Sequence, residues 1–439
     1  MTPDQLIALG AAFAAFLRLF EGCIAYRPTV EHLHSYCRGL LSDLPRKSIE
    51  PIALACGTAV RTLQEFLRDH VWDHFRMRDL LQQRLAGQPA LTAPDDLGTI
   101  GVIDETSTAK KGTKTPGVSR QYCGERGKVD NCVVSVHLAV VRGLFKTIVD
   151  AALFLPRVWS EDRQRCREAK IPDDVVYRPK WRIALEQVAR AAANGLTLDW
   201  LTFDEYYGSK PEFWHELEAQ GKRYIGEVPR NFRCLTHRPK GKKPTGGWRG
   251  KRADNLARFS SAWNQQEWRG ITLTRLTLQD QEWEVRAGQV YLLRNRGNRR
   301  HREMTTRTYW LIVARNTATR QVKYFLSNAA AETPVTILLQ VAFRRWNVEH
   351  ALRVCKTEIG FGHFEGRSYV ALLRHQILCL VVLGFVAEHT DRLRGEKSGD
   401  HDGASVPSPE PALPRVAGAP SPDNNHSAYS RGQRISPAA

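Results

Sequence analysis

Two short apolar stretches, each closed by an aspartate, constrain the fold of this chain more than any other feature. Residues 97–104 and 198–204 are short and apolar, the pattern of buried strands, and they end at Asp104 and Asp204. Ligand sites in open α/β sheets lie at the carboxyl ends of the strands, so both carboxylates are candidate site residues. Either aspartate could instead cap a helix or belong to a turn.

A third candidate carboxylate belongs to a charged helix. Residues 344–356 contain neither proline nor glycine, and their apolar residues recur at helical spacing. At roughly 100° per residue, Arg345, Glu349 and Lys356 fall within about 40° of one another, whereas Glu358 points to the opposite face. One carboxylate therefore lies between two cations. The same pattern also suits a solvated helix face with ion pairs four residues apart.

The net charge of the chain favours a polyanionic partner. Among 439 residues, 64 Lys and Arg stand against 46 Asp and Glu, a formal charge of +18, which indicates nucleic acid before a membrane surface. The nine cysteines are scattered without a Cys-x2-Cys pair, which argues against a zinc ribbon and a secreted disulfide framework. Because no run of 18 apolar residues is present, we expect no membrane span. The scattered cysteines and the basic charge lead us to expect a cytoplasmic, nucleoid-associated protein.

The N-terminal residues 1–92 are expected to form an all-helical DNA-binding domain. Within them, residues 52–67 have the rhythm of a helix-turn-helix, in which Ala53 allows close packing and Gly57 makes the turn. The exposed face of the second helix would present Arg61 to DNA. A plain helical hairpin fits the same pattern equally well.

The remaining residues divide into a core, an insertion and a tail. Strand and helix patterns alternate through residues 93–229 and return at 327–390, which predicts an α/β fold with a mixed sheet. Residues 230–326 start with a basic stretch and continue as alternating strand patterns, which predicts a basic β-rich insertion. Residues 391–439 are dominated by Pro, Ser, Gly and Ala and are expected to be disordered.

Two basic segments are candidates for phosphate contact. Residues 110–128 follow the first aspartate, and Lys110 and Lys111 in them are expected to track phosphates. Residues 230–252 hold nine Lys or Arg and no acid, and we expect them to order on DNA. Tryptophan beside arginine can stack bases, but most tryptophans of the insertion are expected to be sheet core. They are Trp248, Trp263, Trp268, Trp283 and Trp310.

The ordered set of three acids, each in its own context, resembles the DDE transposases of bacterial insertion sequences. The spacing Arg345-x3-Glu349-x6-Lys356 is similar to the signature Tyr-x2-Arg-x3-Glu-x6-Lys of one group in that family. Ala342 stands where the signature has its tyrosine, so this chain departs from the family in the DNA contact of that side chain. The resemblance covers residues 30–390.

The resemblance implies an RNase H-like catalytic domain and a transposase that binds terminal inverted repeats, then cuts and rejoins DNA. Asp104 would bridge two Mg²⁺ ions, while Asp204 and Glu349 would each hold one, with Mn²⁺ as a substitute. Arg345 and Lys356 would hold phosphates beside the metals. The implied partner is double-stranded DNA, both element ends and target, bound by a homodimer.

Two other functions fit the same residues. One is a catalytically inactive DNA-binding protein derived from a transposase, which the three intact acids disfavour. The other is a metal-dependent nuclease without strand transfer, which a joining assay with pre-cut ends would distinguish. Glu105 and Glu205 adjoin the two aspartates, but successive strand side chains point to opposite faces, so we expect neither to share the site.

Overall fold

Helices form the first part of the chain in this computed structural model, which describes residues 3–238, 250–273, 281–295 and 302–399. These N-terminal helices are α1 (Pro3–Arg18), α2 (Arg27–Leu41), α3 (Ile49–Ala55), α4 (Val60–Arg68), α5 (His74–Ala86) and α6 (Pro89–Thr92). Between α3 and α4, Gly57 has a φ of +63°, in the left-handed region that glycine adopts most readily. It lies where the sequence predicted the turn between two helices.

A mixed sheet with flanking helices follows. Its strands are β1 (Ile100–Ala109), β2 (Ser119–Cys123), β3 (Lys128–Arg142), β4 (Phe145–Leu153), β5 (Trp200–Phe203), β6 (Tyr224–Val228), β7 (Arg233–Leu235), β8 (Lys251–Arg252), β9 (Arg269–Leu273), β10 (Gln281–Asn295), β11 (Arg302–Met304), β12 (Tyr309–Asn316) and β13 (Val322–Ser327). Its helices are α7 (Arg157–Ser160), α8 (Arg163–Glu168), α9 (Lys180–Ala193), α10 (Glu205–Gly208), α11 (Pro211–Ala219), α12 (Ala253–Phe259), α13 (Ser261–Asn264), α14 (Val335–Phe343), α15 (Arg345–Thr357) and α16 (Tyr369–Gly399). The predicted mixed α/β class is thereby confirmed.

Parallel strands lie at the centre of the sheet. β1, β5 and β6 run parallel to one another, while β3 pairs antiparallel with β1 and also with β4 and β2. On the other side, β13 pairs antiparallel with β6, β12 with β13, and β10 with β12. The strands expected as a β-rich insertion therefore extend the central sheet. The longest strand of the insertion, β10, is continuous from Gln281 to Asn295.

The N-terminal helices are bound to this sheet through buried polar contacts. Gln82 of α5 donates its side-chain amide to the Val149 carbonyl at 3.0 Å and to Asp150 Oδ2 at 3.2 Å. Arg190 of α9 donates to the same Asp150 oxygen at 2.8 Å. Such contacts join the two parts, and residues 1–394 cluster as one compact unit. Residues 395–439 form a second unit.

The closing helix α16 lies in the core. Its stretch Tyr369–Gly395 is long and apolar enough to cross a membrane by length and composition, but 83% of its apolar window is buried inside the fold. The Phe385 ring packs against Phe13 and Phe16, with centroid separations of 4.7 and 5.5 Å. Burial of this extent explains the apolar composition of α16 as that of a core helix.

Some predicted features lie outside the described residues, namely the middle of the basic stretch (239–249, with Trp248) and the tail from residue 400 onward. Of the other tryptophans in the insertion, Trp283 is buried in β10, as expected of sheet core, and Trp263 is buried too but lies in helix α13. The half-buried Trp268 differs, because its ring is flanked by Arg286 and Arg315, whose guanidinium carbons lie 4.4 and 4.3 Å from the ring centroid.

Candidate active site

Three carboxylates lie side by side at matching positions of three neighbouring parallel strands. Ile103 of β1 pairs with Phe203 of β5, which in turn pairs with Gly226 of β6. The next residue along each of these strands is acidic, so the three acids are neighbours across the sheet and share one face. Only the acid after β5 follows the end of its strand; the strand expected to end at Asp104 continues to Ala109. The acids are Asp104, Asp204 and Glu227. The sequence predicted the first two, and the third was missed.

Asp104 is nearly buried and is held from two sides. Its Oδ2 accepts a hydrogen bond from Nη1 of Arg345 at 3.1 Å, and its Oδ1 accepts from its neighbour's backbone N–H at 2.8 Å. Only 13% of the side chain is exposed. Burial raises the pKa of Asp104, and the Arg345 guanidinium opposes that rise.

Asp204 is also the N-cap of α10, so the alternative role considered for it is real. Its Oδ1 accepts hydrogen bonds from the backbone N–H groups of Tyr206 and Tyr207 at 3.1 and 3.4 Å. Burial, and secondly the charge of Asp104, raise the pKa of Asp204 to about 7. The rise in this pKa therefore reflects burial and the repulsion between two neighbouring carboxylates, which the charge of Arg345 opposes.

Arg345 is the central cation of the site. From the start of α15 it contacts Asp104 at 3.1 Å through Nη1 and Glu349 at 3.5 Å through Nη2. Burial alone would lower the pKa of Arg345, but the surrounding carboxylates, among them Asp104, Glu349, Asp204 and Glu227, raise it. The Glu349 side chain remains 61% exposed. The guanidinium of Arg345 thus links Asp104 on β1 to Glu349 on α15.

Lys356 is a second cation of α15 whose charge interacts with Asp104. It lies near the other end of α15 and is half-buried. Burial lowers the pKa of Lys356, while the charges of Glu125 and Asp104 oppose that effect. The ion pair of Arg345 with Glu349 supports one half of the expected grouping, whereas the expected place of Lys356 on the same helix face stays a prediction. Lys356 approaches Asp104 from the β2–β3 side.

A second ion pair beside Arg345 was not anticipated. Nζ of Lys323, on β13, donates to both carboxylate oxygens of Glu227, each at 2.8 Å. The two side chains are only 12% and 17% exposed, and they line a pocket together with Arg345. In the sequence, Glu227 and Lys323 are visible only as single charged residues in two separate strand patterns. Nothing in those patterns shows that β6 and β13 pair with each other.

The other predicted contact residues lie away from these acids. Lys110 donates its ammonium to the carbonyls of Gly362 and Phe364 at 3.1 and 2.6 Å, so its position favours a structural role over the expected phosphate contact. Lys111 is exposed. Arg61 is exposed on α4, where Nε lies 2.8 Å from a carboxylate oxygen one turn further on.

The two glutamates next to the aspartates also lie apart from the site. Glu105 pairs with Lys180 of α9 at 2.5 Å, as its opposite orientation on the strand predicted. Glu205 is exposed, in the first turn of α10. Neither carboxylate contacts Arg345 by hydrogen bond within the described chain.

The carboxylates of the site are suitable ligands for a hard divalent cation, although their side chains are not close enough together to bind one in this arrangement. Among the residues that the structure describes, no three acidic, histidine or cysteine side chains lie close enough to hold an ion. Arg345 stands between Asp104 and Glu349, and the exposed Glu349 side chain has room to turn. Carboxylates are the ligands that Mg²⁺ prefers, and like charges on two neighbouring strands are stabilised by a cation.

Comparison with known proteins places the chain in a family. The sequence profile described as DDE superfamily endonuclease matches residues 20–289, a range that contains Asp104 and Asp204 and ends before Glu349. The probable transposase for insertion sequence element IS701 of Microchaete diplosiphon is 30% identical over 230 residues, which cover 46% of this chain and 55% of that protein. The aligned part thus spans about half of that relative's length.

Among solved structures, a synaptic complex of the piggyBac transposase with hairpin DNA is similar at a TM-score of 0.42 and 10% identity. That similarity covers 85% of this chain and 68% of the other. The family profile, by contrast, covers more than half of the chain in sequence. The resemblance to DDE-type insertion-sequence transposases is confirmed by that match and by the related transposase, and the chain belongs to the DDE superfamily of endonucleases.

Proposed function

We propose that this protein is the transposase of a DNA insertion sequence, which binds the terminal inverted repeats of its element and catalyses metal-dependent cleavage and strand transfer. The observation that carries the proposal is that Asp104 and Asp204 lie at matching positions of adjacent parallel strands, beside Arg345 and Glu349 of α15. The net charge of +18 supports DNA as the partner. We infer that a homodimer binds the element ends and the target.

The proposal includes an RNase H-like interpretation of the core sheet. Its support is the sequence of strands, in which the antiparallel set β1, β3 and β4 is followed by the parallel additions β5 and β6, with helices between them. The N-terminal helices would serve as the DNA-binding part, with α4 as the recognition helix. Arg61, whose side chain is 86% exposed, is available on that helix.

The residues proposed to hold two Mg²⁺ ions are Asp104, Asp204 and Glu349. When bound, such ions activate the attacking oxygen and stabilise the leaving oxygen of an in-line displacement at phosphorus. The protein's own contribution is to orient the ligands: the backbone N–H groups at the start of α10 fix one oxygen of Asp204. Arg345 and Lys356 supply cations on two sides of Asp104 that would bind DNA phosphates.

The proposal is tested by Asp204→Ala, with Glu358→Gln as the matched control. Glu358 is exposed just after the end of α15, so its loss of charge leaves the site unchanged. In DNA fragments that carry the element's ends, Asp204→Ala is expected to retain binding and to lose cleavage and joining with both Mg²⁺ and Mn²⁺. Wild-type cleavage by this variant would show that the site has been assigned to the wrong acids.

Strand transfer needs its own measurement, because a nuclease would give the same cleavage. Pre-cut element ends with a free 3′-hydroxyl are supplied with a circular target, and joined products are counted. The proposed transposase joins them in a metal-dependent reaction, and Asp204→Ala does not. Cleavage without any joining by the wild-type protein would instead indicate a metal-dependent nuclease.

A further inference from the structure

The Lys323–Glu227 pair lies beside the candidate catalytic acids on the sheet. Glu227 follows Gly226 on β6, the strand next to the one that ends at Asp204, and faces β13 through its pairing with Phe325. Lys323 is two residues before Phe325 and therefore on the same face of the sheet. The pair is thus part of the site's surroundings without belonging to the three proposed metal ligands.

Lys323 is held in place by its partner. Both oxygens of Glu227 accept from the ammonium at 2.8 Å, and an ammonium has three donors, so one remains for another acceptor. A lysine that is free in solution loses much rotamer entropy when it binds a phosphate. In Lys323 this ordering has already taken place, because only 12% of the side chain is exposed.

The positive charge of Lys323 affects the carboxyl group of Glu349, one of the proposed metal ligands. It lowers the pKa of Glu349, against the larger effect of burial, and after Arg345 it is the other cation that does so. Lys323 and Arg345 also line one pocket, whose remaining wall is largely aromatic and apolar. Two cations beside one shallow recess favour contact with a DNA phosphate at its surface, because lysine and arginine are common donors to phosphate oxygens.

The partners of the two cations distinguish them. Arg345 binds Asp104 and Glu349, which are proposed metal ligands, whereas Lys323 binds Glu227, which is not. If metal ions bound Asp104 and Glu349, Arg345 would therefore lose its two carboxylate partners, whereas the Lys323–Glu227 ion pair would stay intact. Lys323 is the fixed cation on the β13 side of the site, opposite to the β2–β3 side that Lys356 approaches.

We propose that Lys323, oriented by Glu227, forms with Arg345 a subsite for a DNA backbone phosphate next to the cleaved bond. This inference rests on the proposed function, since it names a part of the same DNA-binding surface. Glu227 is a positioning residue, and Lys323 is the residue that contacts the phosphate. Because Lys323 comes from β13, a strand of the insertion would contribute directly to DNA binding at the site.

The experiment measures binding of element-end DNA as a function of salt, in the absence of divalent metal. Lys323→Met alone would leave Glu227 buried without its partner, so the double variant Glu227→Gln/Lys323→Met is compared with it. Both are expected to bind about fivefold more weakly at physiological salt and to flatten the plot of log affinity against log salt by about 0.9, the effect of one phosphate contact. Lys323→Arg is expected to restore the slope.

The matched control is Lys222→Met, which removes a lysine just before the amino end of β6, the opposite end from Glu227. It is expected to keep the wild-type slope. An unchanged slope in the double variant, or an equal loss in Lys222→Met, overturns the subsite proposal while wild-type binding and cleavage leave the proposed function standing. A wild-type protein that neither binds nor cuts element ends overturns both.

Discussion

His375 shows how a single buried residue makes the stability of this fold depend on pH. Its Nδ1 accepts from the Tyr36 hydroxyl at 2.8 Å, and its Nε2 donates to the Gly360 carbonyl at 3.1 Å. Burial lowers the pKa of His375 to about 4, so the ring is neutral near pH 7, the form in which one nitrogen accepts and the other donates. In the unfolded chain the ordinary pKa of about 6.5 applies.

As the pH falls, the unfolded state therefore takes up this proton first. The contribution of His375 is constant above about pH 7 and decreases between about 6.5 and 4, by an amount on the order of 3 kcal/mol. We expect His375→Gln to be less stable than wild type at pH 8 but to lose less stability on acidification. Denaturant unfolding at several pH values measures this, and parallel pH profiles for the two proteins would contradict it.

At the same scale, the sequence could predict the acids but not all of their partners. Asp104 and Asp204 each follow an apolar run, although β1 continues beyond the first of them, and Arg345 lies one helical turn from Glu349, so local pattern suffices for them. The Lys323–Glu227 pair joins residues 96 positions apart through the pairing of β6 and β13. Which strands pair cannot be read from the residue pattern of any one strand, so no local pattern reveals this contact.

Among the elements, helix α4 is held at its C-terminal end by a residue far away in the sequence. Arg374 of α16 donates through Nη1 to the carbonyl of Leu67 at 3.0 Å and through Nη2 to that of Trp72 at 3.0 Å. Helix C-terminal carbonyls lack partners within the helix, so this arginine satisfies groups that would otherwise be buried unpaired. The proposed recognition helix is thereby fastened to the core of the protein.

We expect Arg374→Leu to destabilise the protein by about 3 kcal/mol, because several buried carbonyls lose a charged donor. Amide hydrogen exchange is expected to accelerate first in the last turn of α4. Arg367→Leu serves as the control, since Arg367 is exposed just before α16 and should change stability little. Equal stability of the two variants would show that the contacts to α4 contribute nothing.

Helix α15 illustrates which part of an element's role the sequence can specify. The 3.6-residue period correctly brings Arg345 and Glu349 together, at 3.5 Å. The period also predicts the direction of Lys356, but that residue lies two turns further along the axis, where its neighbours come from β1 and the residues after β2. Direction around a helix is a local property, whereas the identity of the neighbours depends on tertiary packing.

For the whole molecule, the sheet joins parts that the sequence suggested as separate domains. Strand patterns in the insertion were predictable from alternation, but β13 pairs with β6 and so continues the central sheet. The N-terminal helices are likewise bound to the sheet, through Gln82 and Asp150. Buried pairings between distant segments produce one compact unit over residues 1–394, and such pairings have no local signature.

The boundary of this unit leads to the last prediction, a pair of truncations. Seven of the last 33 residues are proline, a composition with little to bury, so a chain that ends at residue 399 should melt within about 2 °C of the full chain and cleave DNA equally. A chain that ends at residue 383 also loses Phe385, 4.7 Å from Phe13, and Glu388, 2.7 Å from Arg84.

Loss of a buried aromatic ring alone costs about 3–5 kcal/mol, so the shorter chain should melt many degrees lower. The comparison thus separates removal of the tail from removal of the core helix, which a single truncation cannot do. Thermal unfolding followed by circular dichroism measures both. If the 399-residue chain melted as low as the shorter one, the tail would have to contribute to the fold despite its composition, and the boundary inferred near residue 395 would be wrong.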